Sequence, residues 1–203
     1  MTKQLLSLIQ RRAKDPASRT DQANAATTTM YVPAGHDQIA AAKERIGFDL
    51  PNFLTEIYQQ VGNGGFGPGY GLIGLPGGYT DDGNSIIDLY EMFSQPDPDD
   101  TAWLWPAGLV PVCHWGCNIY SCVDFSASSG SVITYDANAR GPGEPMTQAL
   151  AQTHARTEDW FRDWVSGVRL WDRMFEDDPE RATTIINPFT KKQVIVTPKR
   201  LGR

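Results

Sequence analysis

The chain has 203 residues, of which 40% are hydrophobic and 21% charged, and a formal net charge of −6. That length supports one domain with a sizeable core and room for arms at either end, and the composition is that of an ordinary soluble chain. Residues 46–139 hold eleven carboxylates and no Lys or Arg; an anionic middle of this kind repels nucleic-acid phosphates and draws basic proteins, so a protein partner is expected and DNA or RNA is not.

Leu5, Leu6, Leu8 and Ile9 fall at helical spacing before Asp15-Pro16, which predicts an amphipathic helix over 2–14 with a basic polar face. Its basic residues follow the apolar group and no small-residue cleavage site is present, so it does not read as a signal peptide. It also lacks the aromatic anchor of a membrane-surface helix, and no stretch of the chain is apolar enough to span a bilayer. Three cysteines crowded into one segment read as reduced thiols of a cytoplasmic protein. Residues 17–29 are rich in Ala, Ser, Thr, Asn and Gln and read as a linker. A second helix is expected over 36–46, stopped by Gly47, and Pro51 opens a third that carries Phe53, Leu54, Ile57, Tyr58 and Val61.

Residues 62–78 then concentrate a large share of the 19 glycines around Phe66, Tyr70, Leu72, Ile73 and Leu75. A phosphate cradle places such glycines before a helix N-terminus, whereas these follow a helix, with no lysine near. The run therefore reads as a helix stop, a tight turn and a short strand over 71–75, with Phe66 and Tyr70 as pins. Ser85 offers an N-cap for a helix through Phe93. Residues 96–100 end that helix in an acidic turn, and 103–112, with two prolines, read as an extended entry at a sheet edge. Alternation marks 113–125 as a strand, 126–130 as a turn and 131–135 as the returning strand. Thr157 is expected to cap a long aromatic helix running through Trp171 and ending at Asp177-Asp178-Pro179. Residues 184–196 read as a hairpin, or as an arm that pairs with a second copy of the chain. The expected organisation is an arm and linker over 1–29, a domain over 30–175, and a C-terminal hairpin or arm over 176–203.

The chemistry-bearing residues are sparse. Cys113, His114, Cys117 and Cys122 suggest zinc, but a structural site takes four ligands in two close pairs and the second pair is missing. The thiols read instead as small core groups. A cysteine nucleophile needs a histidine and an orienting group, and neither His36, His114 nor His154 sits in a catalytic signature. Asp81-Asp82 and Asp97-x-Asp99-Asp100 lack calcium-loop spacing. No catalytic residue, metal or cofactor is therefore expected. The partner-binding surface is expected at Asp81, Asp82, Asp97, Asp99 and Asp100, with Trp103 and Trp105.

Taken in order, Ile46-Gly47-Phe48, Leu50-Pro51 opening a helix, the glycine run through Leu72, Trp115-Gly116-Cys117 entering a strand, Asp124-Phe125, Gly130-Ser131-Val132 and the aromatic helix around 160–171 resemble the SUKH superfamily. This group comprises fungal cell-wall-assembly-regulator-like proteins and bacterial immunity proteins, and the resemblance covers about 36–171. It implies a single α+β domain with a central, mostly antiparallel sheet flanked by helices, and structural roles for Pro51, Gly64, Gly65, Phe66, Gly67, Tyr70, Gly116 and Asp124. It also implies a non-enzymatic binding role, in many bacterial members the neutralisation of a toxin domain, often a nuclease. The acidic middle fits a basic toxin of that kind. The alternatives are a regulatory or scaffold module without a toxin and, with less support, a hydrolase or metal protein built on Cys113, His114 and Cys117.

Overall fold

The computed structural model describes residues 2–21, 29–174, 183–186 and 193–196. Its centre is an antiparallel sheet of β1 (Leu109–Gly116), β2 (Ile119–Asp124), β3 (Val132–Asp136) and β4 (Leu150–His154), in that spatial order. Around it stand α1 (Thr2–Lys14), α2 (His36–Ile46), α3 (Asn52–Gln60), α4 (Ile86–Phe93), α5 (Thr157–Val165) and α6 (Leu170–Met174). The fold is thus a single-domain α+β fold on an antiparallel sheet, as the sequence predicts. None of the described helices is long and apolar enough to cross a membrane.

Alternation along the strands divides the sheet into two faces. Tyr120 of β2 and Tyr135 of β3 are register partners and point to one side, where each meets the ring of Phe93 at 5.5 Å. Their neighbours Ser121 and Thr134 point to the other. There Ser121 receives the indole N–H of Trp115 at 2.9 Å, and Trp115 meets Trp171 of α6. Phe53 of α3 and Phe161 of α5 meet edge to face at 6.1 Å, joining those two helices through a fully apolar contact. Trp160, Phe161 and Trp164 are all essentially unexposed, so the aromatic stripe of α5 is core.

The helices at 36–46 and 86–93 occur where predicted, the first closed by Gly47 in the left-handed region and the second opened by a Ser85–Asp88 capping box. Other expectations change. The strand read over 113–125 is two strands: Cys117 and Asn118 both take positive φ, 52° and 56°, and reverse the chain after Gly116. Thr157 is the first residue of α5 and donates its hydroxyl to Gly130 O at 2.6 Å, while Arg156 holds the N-cap position. That helix stops at Val165, and Gly167, at φ 78°, turns the chain into the separate α6. The predicted helix end at 177–179 lies outside the described residues. A two-stranded antiparallel hairpin, β5 (Thr183–Ile186) with β6 (Gln193–Val196), forms where the sequence predicts one.

The glycine run is buried from Gly62 through Gly69 and from Gly71 through Leu75. Residues 71–75 are not a strand; Leu72 makes one bridge to Cys113, and the N–H groups of Tyr70 and Ile73 donate to His114 O and Val112 O. The run therefore lines the outer edge of β1 without forming a ladder. Asn63 holds it in place: its amide accepts the Leu75 N–H at 2.8 Å and donates to the Leu75 carbonyl at 3.2 Å, so one side chain does the work of a strand neighbour. A Cβ on Gly65 would lie 2.0 Å from Thr29 O and one on Gly64 2.5 Å from Leu72 O, and both residues take positive φ. Only glycine fits such contacts. From the other side, Gly67 donates to Arg19 O and Asp21 donates to Gly69 O, so residues 19–21 are stitched to the run.

Candidate protein-binding surface

The Tyr120–Tyr135 face of the sheet is roofed by rings from α4 and the segment after it. Phe93 lies 4.6 Å from Trp105 and 6.0 Å from Trp103, the two indoles are near-parallel at 5.9 Å, and Trp105 meets Tyr135 at 5.1 Å. Both indole N–H groups are satisfied internally, Trp103 by Phe93 O at 2.8 Å and Trp105 by Leu109 O at 2.7 Å. The two tryptophans are therefore fixed, half-buried plates. Leu104, between them, is 75% exposed, and Met92, beside Phe93, is 54% exposed. Apolar side chains held out from a rigid aromatic base are the kind of anchor that protein interfaces use.

The five predicted aspartates separate into two groups. Asp97 and Asp99 are exposed on the turn after α4, and Asp82 is exposed on the loop before it, at φ 48°. Asp100 faces inward, paired with Arg140 at 2.5 Å, and both side chains are almost covered. The Gly143 N–H, then Arg140 and the Ala102 N–H, hold its carboxyl below the usual carboxylate range. Asp81 is likewise internal: it meets His114 Nδ1 at 3.0 Å and accepts the Tyr120 hydroxyl at 2.9 Å. The His114 ring stacks on Tyr120 at 4.5 Å and meets Tyr70 edge to face at 5.5 Å. Burial, with Asp81 adding to it, pushes the Tyr120 phenol up. Asp81 and Asp100 are thus spent on internal partners, which leaves Asp82, Asp97 and Asp99 to face solvent. On the same side of the sheet a groove of about 350 Å³ runs beside Trp105, walled by Pro106, Leu109, Ile133 and Leu150. Asp124 at its rim accepts the N–H and hydroxyl of Ser126.

Asp124 apart, the residues expected to be structural lie elsewhere. Pro51 precedes α3, Phe66 is unexposed, and the Tyr70 hydroxyl sits where a Cβ on Gly116 would come within 2.8 Å. Among the cysteines, Cys113 and Cys122 are buried, and burial drives both thiols up, whereas Cys117 is exposed on the β1–β2 turn. No group of three or more His, Cys, Asp or Glu is disposed to hold a metal ion among the described residues.

A second concavity, a cleft of about 560 Å³, lies between α1, the glycine run and α6, lined by Arg12, Asp21, Tyr70, Trp115 and Trp171 among others. Arg12 spans it, bonding Ser18 O, Trp164 O and Asp21 and lying 4.3 Å from the Trp164 ring centre. Burial lowers Arg12 and raises Asp21 relative to their ordinary values, so this pair is held at a desolvation cost.

Sequence reasoning missed Leu104, Met92 and Asn63. Leu104 carried a signal, an aliphatic residue between two tryptophans in a proline-bounded extended segment; Asn63 carried none, since its partner is twelve residues away. The model of the SMI1 / KNR4 family (SUKH-1) matches residues 33–163. No curated protein matches the chain.

Proposed function

The chain belongs to the SMI1 / KNR4 family (SUKH-1), and on that premise we propose that it is a non-enzymatic, immunity-type binding protein that neutralises a basic, nuclease-like toxin domain in the cytoplasm. The observation that carries the reading is the surface beside α4: Leu104 and Met92 stand out from a locked plate of Phe93, Trp103 and Trp105, and the adjoining turn presents Asp97 and Asp99 to solvent. The apolar pair supplies desolvated contact. The carboxylates steer a cationic partner and fix its register, which acts mainly on the association rate. Asp82 extends the same field across the loop before α4. Trp103 and Trp105 act as the base that holds Leu104 in place, and Asp81 and Asp100 act by shaping the loops.

The test is a search of the gene neighbourhood for a basic toxin domain, followed by binding of the purified protein to any such domain found. Leu104→Ala is expected to weaken the complex about tenfold or more through faster dissociation. The Asp97→Lys, Asp99→Lys double variant is expected to slow association and flatten its salt dependence. Wild-type affinity in both variants would overturn the assignment of this surface. A gene neighbourhood without any toxin, together with capture of a regulatory enzyme, would move the protein to the scaffold reading.

A further inference from the structure

The rings of Phe93 and Trp105 meet the sheet at Tyr120 and Tyr135. Further along the same face the strands carry a different set of side chains. Asp124, at the end of β2, and Ile133, near the start of β3, alternate in phase with those two tyrosines and so point to the same side. With Leu109 of β1 and Gln152 of β4 they form the groove of about 350 Å³ beside Trp105, whose apolar walls are Pro106, Leu109, Ile133 and Leu150. The Pro106 wall is fixed by bonds on three sides. The Leu109 N–H donates to Pro106 O at 3.1 Å, the Trp105 indole N–H to Leu109 O, and the Gly108 N–H to the Tyr90 hydroxyl. A slot with such walls is formed before any ligand arrives, which lowers the cost of filling it.

Asp124 is the one ionisable group among the described residues that line the groove. Its Oδ1 accepts both the Ser126 N–H at 2.8 Å and the Ser126 hydroxyl at 2.5 Å. Both bonds fall on one oxygen, so the carboxylate is held in place while Oδ2 keeps its capacity to accept. A fixed carboxylate at the rim of an apolar slot suits a group that is aliphatic along its length and cationic at its tip, the form shared by Arg and Lys. Of the two, the guanidinium is the less hydrated, and its fork of donors suits a carboxylate with the Gln152 amide oxygen as a second acceptor. Residues 46–139, which supply Pro106, Leu109, Asp124 and Ile133, hold eleven carboxylates and no Lys or Arg, so the local field draws a cation in. We propose that the groove is a subsite for one arginine side chain of a basic protein partner, its stem along the apolar walls and its guanidinium bonded to Asp124. This subsite, which presupposes that the face is a protein-binding surface, adds to Leu104 a recessed contact that selects the kind of residue the partner presents.

The experiment titrates the isotope-labelled full chain with N-acetylarginine amide and follows its amide resonances. Saturable shifts centred on Ser126, Ile133 and Gln152 are expected, with a dissociation constant of about 10 mM or tighter. N-acetylnorleucine amide, which has the stem without the charge, is expected to bind about tenfold more weakly, and N-acetyllysine amide about threefold more weakly. Asp124→Asn, whose amide oxygen can still accept from Ser126, and Gln152→Arg, which tethers a guanidinium at the rim, are each expected to weaken arginine binding about fivefold or more. Should Asp124→Asn fail to fold, Gln152→Arg decides alone. A wild type without saturable shifts overturns the proposal. So do equal affinities for the arginine and norleucine compounds, shifts centred on Asp97 and Asp99 instead, or unchanged binding by variants that melt cooperatively. The titration contains no toxin, so its failure would leave the Leu104 surface standing, and a gene neighbourhood without a toxin would leave the subsite standing.

Discussion

Residues 62–78 and 94–108 flank α4 and its lead-in, both are dense in turn-forming residues, and they differ in where their backbone groups go. In the glycine run the N–H groups of Asn63, Gly67, Tyr70 and Ile73 donate to Val32, Arg19, His114 and Val112, so the segment is woven into three distant parts of the chain, β1 among them. In the acidic segment the bonds of Gln95, Asp100, Trp103 and Leu109 reach only three residues back; apart from the Phe125 N–H that donates to Gly108 O at its far end, what holds it down is side chains: two indoles, Asp100 and the Tyr90 hydroxyl that accepts from Gly108. Backbone bonds to remote residues leave no surface to spare. Attachment by a few side chains leaves the intervening positions, Leu104, Asp97 and Asp99, open to solvent and to change without loss of the fold.

That contrast can be broken by substitution. Gly65→Val should have the largest effect, a loss of more than about 4 kcal/mol or outright failure to fold, because its Cβ would sit on Thr29 O at positive φ. Gly83→Ala is the matching control: it also has positive φ, at 86°, but nothing lies within 4 Å of its Cβ, so about 1 kcal/mol is expected. Equal melting temperatures for the two variants would remove the case for the run as architecture. Asn63→Ala should cost about 2 kcal/mol by orphaning the buried N–H of Leu75, whose carbonyl keeps the Gly78 N–H, read by urea denaturation with an unchanged m-value. The smallest effect belongs to the acidic segment. Asp100 has a folded pKa below its unfolded value, so its contribution is present above pH ~4 and is lost as the pH falls through the folded value. Asp100→Asn should therefore lower the melting temperature at neutral pH and make its decline from pH ~4 to ~2 shallower than that of wild type. An unaltered acid limb would show that Asp100 does not anchor the segment.

Much of this was legible where causes are local. The helices over 36–46 and 86–93 follow from apolar spacing and from Gly47 and Ser85, which terminate or start them by their own geometry. β4 was not legible, because Leu-Ala-Gln-Thr-His has no alternation of its own and becomes a strand only through its pairing with β3. The same rule divides the aspartates. Charge alone marks all five, but His114 and Arg140, thirty-three and forty residues away in sequence, decide that Asp81 and Asp100 turn inward. Leu104 is exposed because its two neighbours spend their N–H groups on carbonyls at either side, a decision made by packing.

The turn at Cys117 and Asn118 has a practical corollary. Of the three thiols, only Cys117 faces solvent; Cys113 and Cys122 lie inside with their ionisation suppressed by burial, and the thiolate is the form that reacts. The unmodified chain therefore carries its own single attachment point for a spin label or fluorophore, on a short turn between two strands. A probe there reports on that turn with no cysteine added or removed.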